Sequence, residues 1–302
     1  MDRKPLDALA FGLMTVLCMS WGFQQVTIKI AAPDVSLVMQ AGIRSIVATL
    51  SLLAWSRARA IPLFKQDGTF GSGLLAGVLF AAEFVFIYAG LKFTTASRMI
   101  VFIYTTPCLT ALMLPLVVPT ERLNLRQWSG VVLAFVGLFS AFAEDFWSRG
   151  GGTLLGDLFG VIAAFLWAAT IVLIRATKLG EASATKTLFY QLAVSAVALP
   201  IVSIALGEPG IVHTTPLAVA ALAYQGVIVA FASYLAWFWL LTRYLAARLS
   251  VLTFLTPLFG VLFGVIFLSD PITPAFVVAA LLVATGIVLV NLSRRPHAVR
   301  AA

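Results

Sequence analysis

Charge is scarce in this chain. Charged residues fill 11% of 302 positions and hydrophobic ones 61%, whereas a soluble domain carries about 25% charged residues. No water-soluble fold of this length has an interior large enough for so much apolar surface, so a soluble domain is excluded and lipid is the expected solvent. Cysteine is also rare: Cys18 and Cys108 both lie inside apolar runs and read as small core residues rather than a disulfide or metal pair. His213 and His297 stand far apart, so neither a metal site nor a cofactor is expected. The chain has no HExxH, no GxxxxGK[ST] and no span-embedded pair of aspartates, which argues against an intramembrane enzyme or an ATP-driven pump. The net charge of +8 is spread between apolar runs and forms no basic patch interleaved with aromatics, so nucleic acid is not an expected partner.

What is present is a series of long apolar runs. A hydrocarbon core about 30 Å thick needs roughly 20 apolar residues per helix. Ten stretches fit, at 8–29, 36–55, 71–91, 99–118, 127–143, 156–174, 187–206, 217–241, 249–268 and 275–292. The links are short and carry breakers such as Pro33, Asp67-Gly68, Pro209-Gly210 and Pro271, with no room for a soluble signalling domain. The start, MDRKP and an apolar run from Ala8 to about Lys29, reads as an uncleaved first span. With the N-terminus inside, about fifteen Lys and Arg residues fall on the cytoplasmic side against four outside, so both termini are predicted to be cytoplasmic. The expected fold is therefore an all-α integral membrane protein of ten transmembrane helices.

The chain also repeats itself. Trp21 and Lys29 answer Trp167 and Arg175 at an offset of about 146 residues. Ala96, Arg98, Val101, Thr106 and Pro107 answer Ala246, Arg248, Val251, Thr256 and Pro257 at about 150. Five spans per half is an odd number, so the second half enters the membrane upside down. Two inverted five-helix repeats are a common way to build two oppositely facing states around a midplane site, and this argues for transport.

Polar residues inside the runs are the candidate site residues, because a charge at the bilayer centre costs about 2.5–3.5 kcal/mol or more. Arg44 and Glu83 each fall about 12 Å from the outer end of their spans, counting 1.5 Å per residue. They read either as a structural ion pair or as a substrate site, with Glu83 a possible proton-coupling group. Trp21, Gln24 and Gln25 cluster in the first span, with Trp21 and Gln25 one turn apart, facing either a cavity or a neighbouring helix. Trp167, the mate of Trp21, joins them as a candidate cavity residue, as do Tyr104, Tyr224, Gln225 and Tyr234. Tyr190 and Gln191 read as anchors near the membrane surface. Pro107 and Pro257 each lack a backbone donor inside a span, which disturbs the carbonyl four residues earlier, at Ile103 and Thr253 respectively, and they read as kinks or paired hinges. Gly73/Gly77, Gly156/Gly160 and Gly260/Gly264 are small-residue pairs that suit close helix approach.

Several segments resemble the EamA family of the drug/metabolite transporter superfamily. They are Ser20-Trp21-Gly22 through Lys29, Arg44 within AGIRSIVATLSLL, and the stretch from Tyr88 through TTP to TERLNLRQWSGVVLAFVG, with a second copy in RLSVLTFLTPLFGVLFGVIFLSDPIT. The likeness spans residues 7–143 and 154–293, taken as the two five-helix repeats. It implies a central cavity between the halves and export of amino acids, related metabolites or toxic compounds, often by proton exchange, in a bacterial-type inner membrane. Glu121 occupies the family's usual acidic position, which the second half fills with Asp270; Gln24-Gln25 and Glu83 depart from the pattern. The expected partners are a small-molecule solute, the lipid bilayer and protons, with a homodimer as the one protein contact. The alternatives are an uncoupled facilitator or, in another class, an intramembrane enzyme or a non-transporting sensor.

Overall fold

The computed structural model describes residues 4–93, 96–141, 143, 154–268 and 274–291. Among them the regular elements are all helical. In chain order they are α1 (Ala8–Ala31), α2 (Leu37–Ala58), α3 (Phe70–Gly90), α4 (Ala96–Ile103), α5 (Thr106–Val117), α6 (Leu125–Ala141), α7 (Leu154–Ala176), α8 (Ala184–Ala205), α9 (Pro216–Arg243), α10 (Ala246–Leu252), α11 (Leu255–Leu268) and α12 (Pro274–Asn291). A helix is what these sequences must form out of water, since it satisfies every backbone group within its own segment. Eight helices are long and apolar enough to cross a membrane, counting Met99–Val117 and Ala246–Phe267 as one each, and two apolar helices are shorter, Leu125–Ser140 and Val277–Asn291.

Local signals set the helix ends. Asp7 accepts from the Ala10 amide at 2.9 Å, and Thr215 accepts from Ala218 at 3.2 Å with Pro216 in the first turn of α9. After α8 the chain turns through Gly207 at φ 71°, while the Gly207 and Glu208 amides donate to Ile204 and Ser203. The same pair of bonds closes α2, where the Ala60 and Ile61 amides donate to Arg57 and Ser56, but Ala60 holds the left-handed position at φ 50°. Caps also cross between halves: Glu208 accepts from the Val38 and Met39 amides at the start of α2, at 3.4 and 3.3 Å.

Large apolar side chains such as Leu50, Leu116, Val197 and Ile204 are exposed on the outer faces, which suits lipid rather than water. The interior packs Met14, Leu17, Ile171, Leu188, Leu240 and Phe254 into one cluster. The main helix contacts are α1 with α11, α7 with α5, α3 with α7, α1 with α9, α3 with α8, α2 with α9, α2 with α8 and α6 with α12.

Small residues allow the closest of these contacts, since apolar burial alone does not drive helices together in lipid. Gly73 and Gly77 lie against Tyr190 and Val194, and Gly160 lies against Phe102. A Cβ on Gly260 would meet Gln25 Cγ and the Gly22 carbonyl only at ordinary contact, 3.9 Å, and the close approach there is made by Gly22, whose Cβ would meet Phe259 at 2.7 Å. Tyr190 and Gln191 are not surface anchors: Gln191 is fully buried, and Tyr190 packs on Gly73 with its hydroxyl 3.3 Å from Thr69 Oγ1. At the α6–α12 contact, a Cβ on Gly130 would sit 2.6 Å from the Gly286 carbonyl oxygen. Gly130→Val should therefore lower stability by about 1–3 kcal/mol through overpacking, whereas Gly12→Ala, with nothing within 4 Å, should be silent. Thermal unfolding of both variants in detergent checks this, and equal melting temperatures would refute the close contact.

Candidate functional site

Four of the predicted site residues, Trp21, Arg44, Glu83 and Tyr234, gather around one face of α3, where Phe80, Glu83, Phe84 and Tyr88 recur at helical spacing. Arg44 reaches this face from α2, its guanidinium 4.4 Å from the centre of the Phe84 ring. Phe84 stacks with Tyr88, and Phe80 meets Tyr234 of α9 edge-on at 6.0 Å. Tyr234 in turn meets Trp21 of α1 at 6.2 Å. The Trp21 indole N–H donates to Ser233 Oγ at 2.8 Å, fixing the ring's orientation. Tyr104 lies edge-on to Trp167 at 6.2 Å and tilted to Phe254 at 6.5 Å, and it shares electrostatic influence with Tyr234 and Glu83.

Arg44 and Glu83 are 3% and 6% exposed, so both groups sit out of bulk water, and Arg44 is in hydrogen-bond reach of Tyr234. They influence each other electrostatically, yet among the described residues they form no ion pair. Arg44 Nε and Glu83 Oε2 have no hydrogen-bond partner. A structural salt bridge would hold both groups in contact, and that contact is missing here.

Backbone irregularities surround the cluster. The fourth span breaks at Tyr104-Thr105, three residues before Pro107, and the ninth breaks at Thr253-Phe254, before Pro257. The prolines leave the Ile103 and Thr253 carbonyls without their helical donors. Thr106 Oγ1 donates to Ile103 at 2.7 Å and the Thr256 amide to Thr253 at 2.9 Å, so both carbonyls are satisfied. In α9 the residues Tyr224–Ser233 form a π-helix that ends at the Ser233 and Tyr234 contacts with Trp21. Such segments are rare and frequent at functional sites.

Other predicted residues lie outside the cluster. Tyr224 donates to the Ser20 carbonyl at 3.2 Å, and buried Gln225 donates to Gln40 at 3.2 Å, so both are engaged in holding α9 against α1 and α2. Gln24 is buried with no side-chain hydrogen bond among the described residues, while Gln25 is exposed beside Gly260. Asp270 and His297 fall outside the described residues. A cavity of about 390 Å³ is lined by Ser56, Arg57, Ile61, Phe64 and Lys65 at the end of α2 and shares no residue with the cluster. The buried Arg44, in hydrogen-bond reach of Tyr234, and the buried Glu83 make the cluster the candidate site instead.

Sequence reasoning missed a second feature. Glu121, just past α5, forms a buried ion pair with Arg175 at the end of α7 and accepts from the Ala247 amide at 3.2 Å. Arg175 also donates to the Leu241 and Tyr244 carbonyls, at 3.0 and 2.8 Å. Tyr244 bonds Asp7 at 2.9 Å, and the Lys4 amide bonds the Arg243 carbonyl. Together these contacts tie α1, α5, α7, α9 and α10 at one end of the bundle. A further ion pair, Lys186 to Asp67 at 2.8 Å, joins the loop before α3 to α8. Lys186, with help from Thr69, holds the Asp67 carboxyl well below the usual carboxylate range.

A bundle of long apolar helices, two of them interrupted around buried polar groups, is a multi-pass membrane protein. The comparisons agree. The profile of the EamA-like transporter family matches residues 8–143 and 154–292, and the chain belongs to that family. It is 25% identical to a probable amino-acid metabolite efflux pump of Escherichia coli, over 95% of this chain and 94% of that protein. It is 22% identical to the uncharacterized transporter YoaV of Bacillus subtilis, over 88% and 91%, and 27% identical to an uncharacterized transporter of Archaeoglobus fulgidus, over 85% and 89%. A solved crystal structure at 17% identity superposes with a TM-score of 0.79 over 94% of this chain and 98% of that one, which shows the shared fold.

Removing one partner of a buried ion pair costs about 3–5 kcal/mol, whereas apolar replacement of both is often tolerated. Glu121→Leu and Arg175→Leu should each destabilise strongly, and the double variant should recover part of the loss. A double-mutant cycle by thermal unfolding measures the coupling, and strictly additive losses would show that the pair is not coupled.

Proposed function

We propose that this chain is a secondary transporter of the inner cell membrane that exports a small organic metabolite, an amino acid, related metabolite or drug-like compound, with proton coupling through Glu83. The observation that carries this reading is the meeting of two interrupted helices, at Tyr104 and Phe254, within electrostatic reach of buried Glu83. Discontinuous helices at a midplane site are how carriers expose backbone and charge to a solute without exposing them to lipid. Membrane transport of a small molecule follows from the family; direction, solute and coupling are our proposal.

The proposed architecture is ten crossings in two inverted five-helix repeats, residues 7–143 and 154–293, with both termini cytoplasmic. The helix pairing supports it. Exchanging the first five spans for the last five turns the α1–α11 contact into α7–α5, α3–α7 into α9–α1 and α3–α8 into α9–α2, all of them present. Gly77 and Gly226, 149 apart, support it too: each sits where a Cβ would press on the second span of the other half, at Tyr190 and Val194 or at Val47.

The mates are unequal in exposure. Gln25 and Lys29 of α1 are exposed, while their counterparts Ile171 and Arg175 of α7 are buried. A repeat protein in which one end is tied shut and the opposite end is freer is in one of its two states; exchange of the two arrangements moves the solute across. In this reading Trp21, Trp167, Tyr104 and Tyr234 line the solute path, with Gln24, Gln25, Tyr224 and Gln225 along its walls and Pro107 and Pro257 as hinges.

Release of metabolites from cells expressing the chain, compared with empty vector and a well-expressed Trp21→Ala variant, tests the proposal. One compound should accumulate in the medium, and Trp21→Ala should cut its release at least tenfold. No enrichment among amino acids, nucleosides and toxic analogues from a membrane-inserted protein would refute export. Glu83→Gln should abolish dependence on the pH gradient, whereas unchanged dependence would remove Glu83 from coupling and leave an uncoupled facilitator.

A further inference from the structure

We infer that the cavity at the end of α2 is a binding site for an anionic phospholipid, with Arg57 and Lys65 holding the phosphate and the outer face of α2 carrying an acyl chain. The inference is independent of the transport reading, since a chain that moved no solute would hold the lipid equally well.

The cavity has a volume of about 390 Å³, within the roughly 300–1,000 Å³ that small-molecule sites span. Its lining divides by chemistry: Leu53, Ile61 and Phe64 are apolar, while Arg57 and Lys65 are cationic. Both cations are exposed, and among the described residues neither side chain has a hydrogen bond or an ion pair. The one acid of the loop between α2 and α3, Asp67, does not answer them. It is spent on Lys186 at 2.8 Å and on Thr69 Oγ1 at 2.6 Å. The Lys186 ammonium also donates to the Lys65 carbonyl at 2.7 Å, which pins the loop against α8 and fixes where Lys65 leaves the backbone. Lys178 adds a third positive charge nearby, its Nζ 3.5 Å from where a Cβ on Gly68 would sit.

Apolar surface leads from this pocket into the bilayer. Ile46, Leu50, Leu53 and Arg57 follow one another at intervals of four, three and four residues, which places them on one face of α2. Ile46 and Leu50 are exposed, and Leu53 is half-buried in the cavity wall. A phosphate at Arg57 therefore has lipid-facing side chains along the same stripe, as a headgroup with attached acyl chains requires and a soluble anion does not. Phe64 is 77% exposed and edge-on to Phe189 at 5.6 Å. A ring left so open beside two cations suits the headgroup layer of a membrane better than open water.

One effect opposes an anion here, since the C-terminal end of a helix is its negative pole. The Arg59, Ala60 and Ile61 amides take the Trp55, Arg57 and Ser56 carbonyls, which blunts that pole and leaves the decision to the side chains. A guanidinium meets phosphate oxygens bidentately, and an ammonium adds a point charge. The shape of the helix end does not make the site by itself. The α8 helix closes with the same pair of bonds, but there Glu208 follows and caps α2 in place of any cation.

The test titrates the full chain, purified in a neutral detergent, with short-chain phosphatidylglycerol, short-chain phosphatidylcholine and glycerol 3-phosphate. Phosphatidylglycerol should bind about tenfold more tightly, or better, than either of the others. Arg57→Gln with Lys65→Gln should bring it down to the level of phosphatidylcholine, whereas Arg57→Lys with Lys65→Arg should keep the preference. Arg122→Gln with Arg126→Gln removes the same charge from the link before α6 and should also keep it. The preference is read as a ratio of the two lipids, so a misfolded variant is recognised by losing both. In that event the single Lys65→Gln, at an exposed side chain, decides by a loss of about threefold or more in the ratio. Equal binding of the two lipids, or an undiminished preference in the Arg57 and Lys65 variants, would overturn the site. An equal loss in the Arg122 and Arg126 variant would replace it with general surface charge. Glycerol 3-phosphate binding as tightly as phosphatidylglycerol would make the ligand a free phosphate and overturn the lipid assignment.

Discussion

Taking charge out of water is the constraint on which the rest of this structure turns. An ion moved into an apolar interior must be met by an opposite charge or by hydrogen bonds, and in lipid the helices offer few of either. The bundle answers this at its ends. Arg175 is held by Glu121 and two carbonyls, Asp7 caps α1 while accepting from Tyr244, and Glu208 caps α2 from the opposite half. These contacts join elements distant in sequence and use the same polar groups that stop the helices. Around α3 the answer is weaker: Arg44 meets the Phe84 ring and the Tyr234 hydroxyl, while its Nε and Glu83 Oε2 have no hydrogen-bond partner. Aromatic rings supply the rest of the surroundings, with Phe84 facing the Arg44 guanidinium.

The irregular backbone belongs to the same account. Pro107 and Pro257 interrupt their helices at equivalent places, and threonines beside them repair the orphaned carbonyls differently, by a hydroxyl in one half and by an amide in the other. The π-helical segment of α9 has no counterpart in α3, a regular α-helix that carries Glu83. The two halves are thus alike in pairing and unlike in detail, and the unlike details gather at the candidate site.

Much of the fold was legible because hydropathy and span length report directly on a solvent about 30 Å thick. The candidate site was legible in part. Trp21, Arg44, Glu83, Tyr104, Trp167 and Tyr234 stood out as polar or aromatic groups in apolar runs, and the structure gathers them. Tyr224 and Gln225 were harder to place, since i→i+5 bonding over ten residues defeats the 3.6-residue arithmetic that assigns helix faces. Gln225 finds its partner in Gln40, 185 residues away, a pairing no local pattern reveals. The Glu121–Arg175 pair did leave a signal. Arg175 repeats Lys29, and Glu121 is answered by Asp270, so an acid and a base recur together in both halves. Counted only as residues near span ends, they concealed that they meet.

The central claim is that the two ends of the bundle exchange exposure as the solute crosses, and the repeat mates Gln25 and Ile171 report on it most directly. With Cys18 and Cys108 replaced by alanine, single cysteines are placed at Gln25→Cys and Ile171→Cys, and their reaction with a membrane-impermeant maleimide is followed in right-side-out and inside-out vesicles. The account predicts that Gln25→Cys reacts from the outer face and Ile171→Cys is protected from the inner face, and that a transported solute lowers the first rate while raising the second. Rates that stay fixed, or that rise and fall together at both positions, would contradict it.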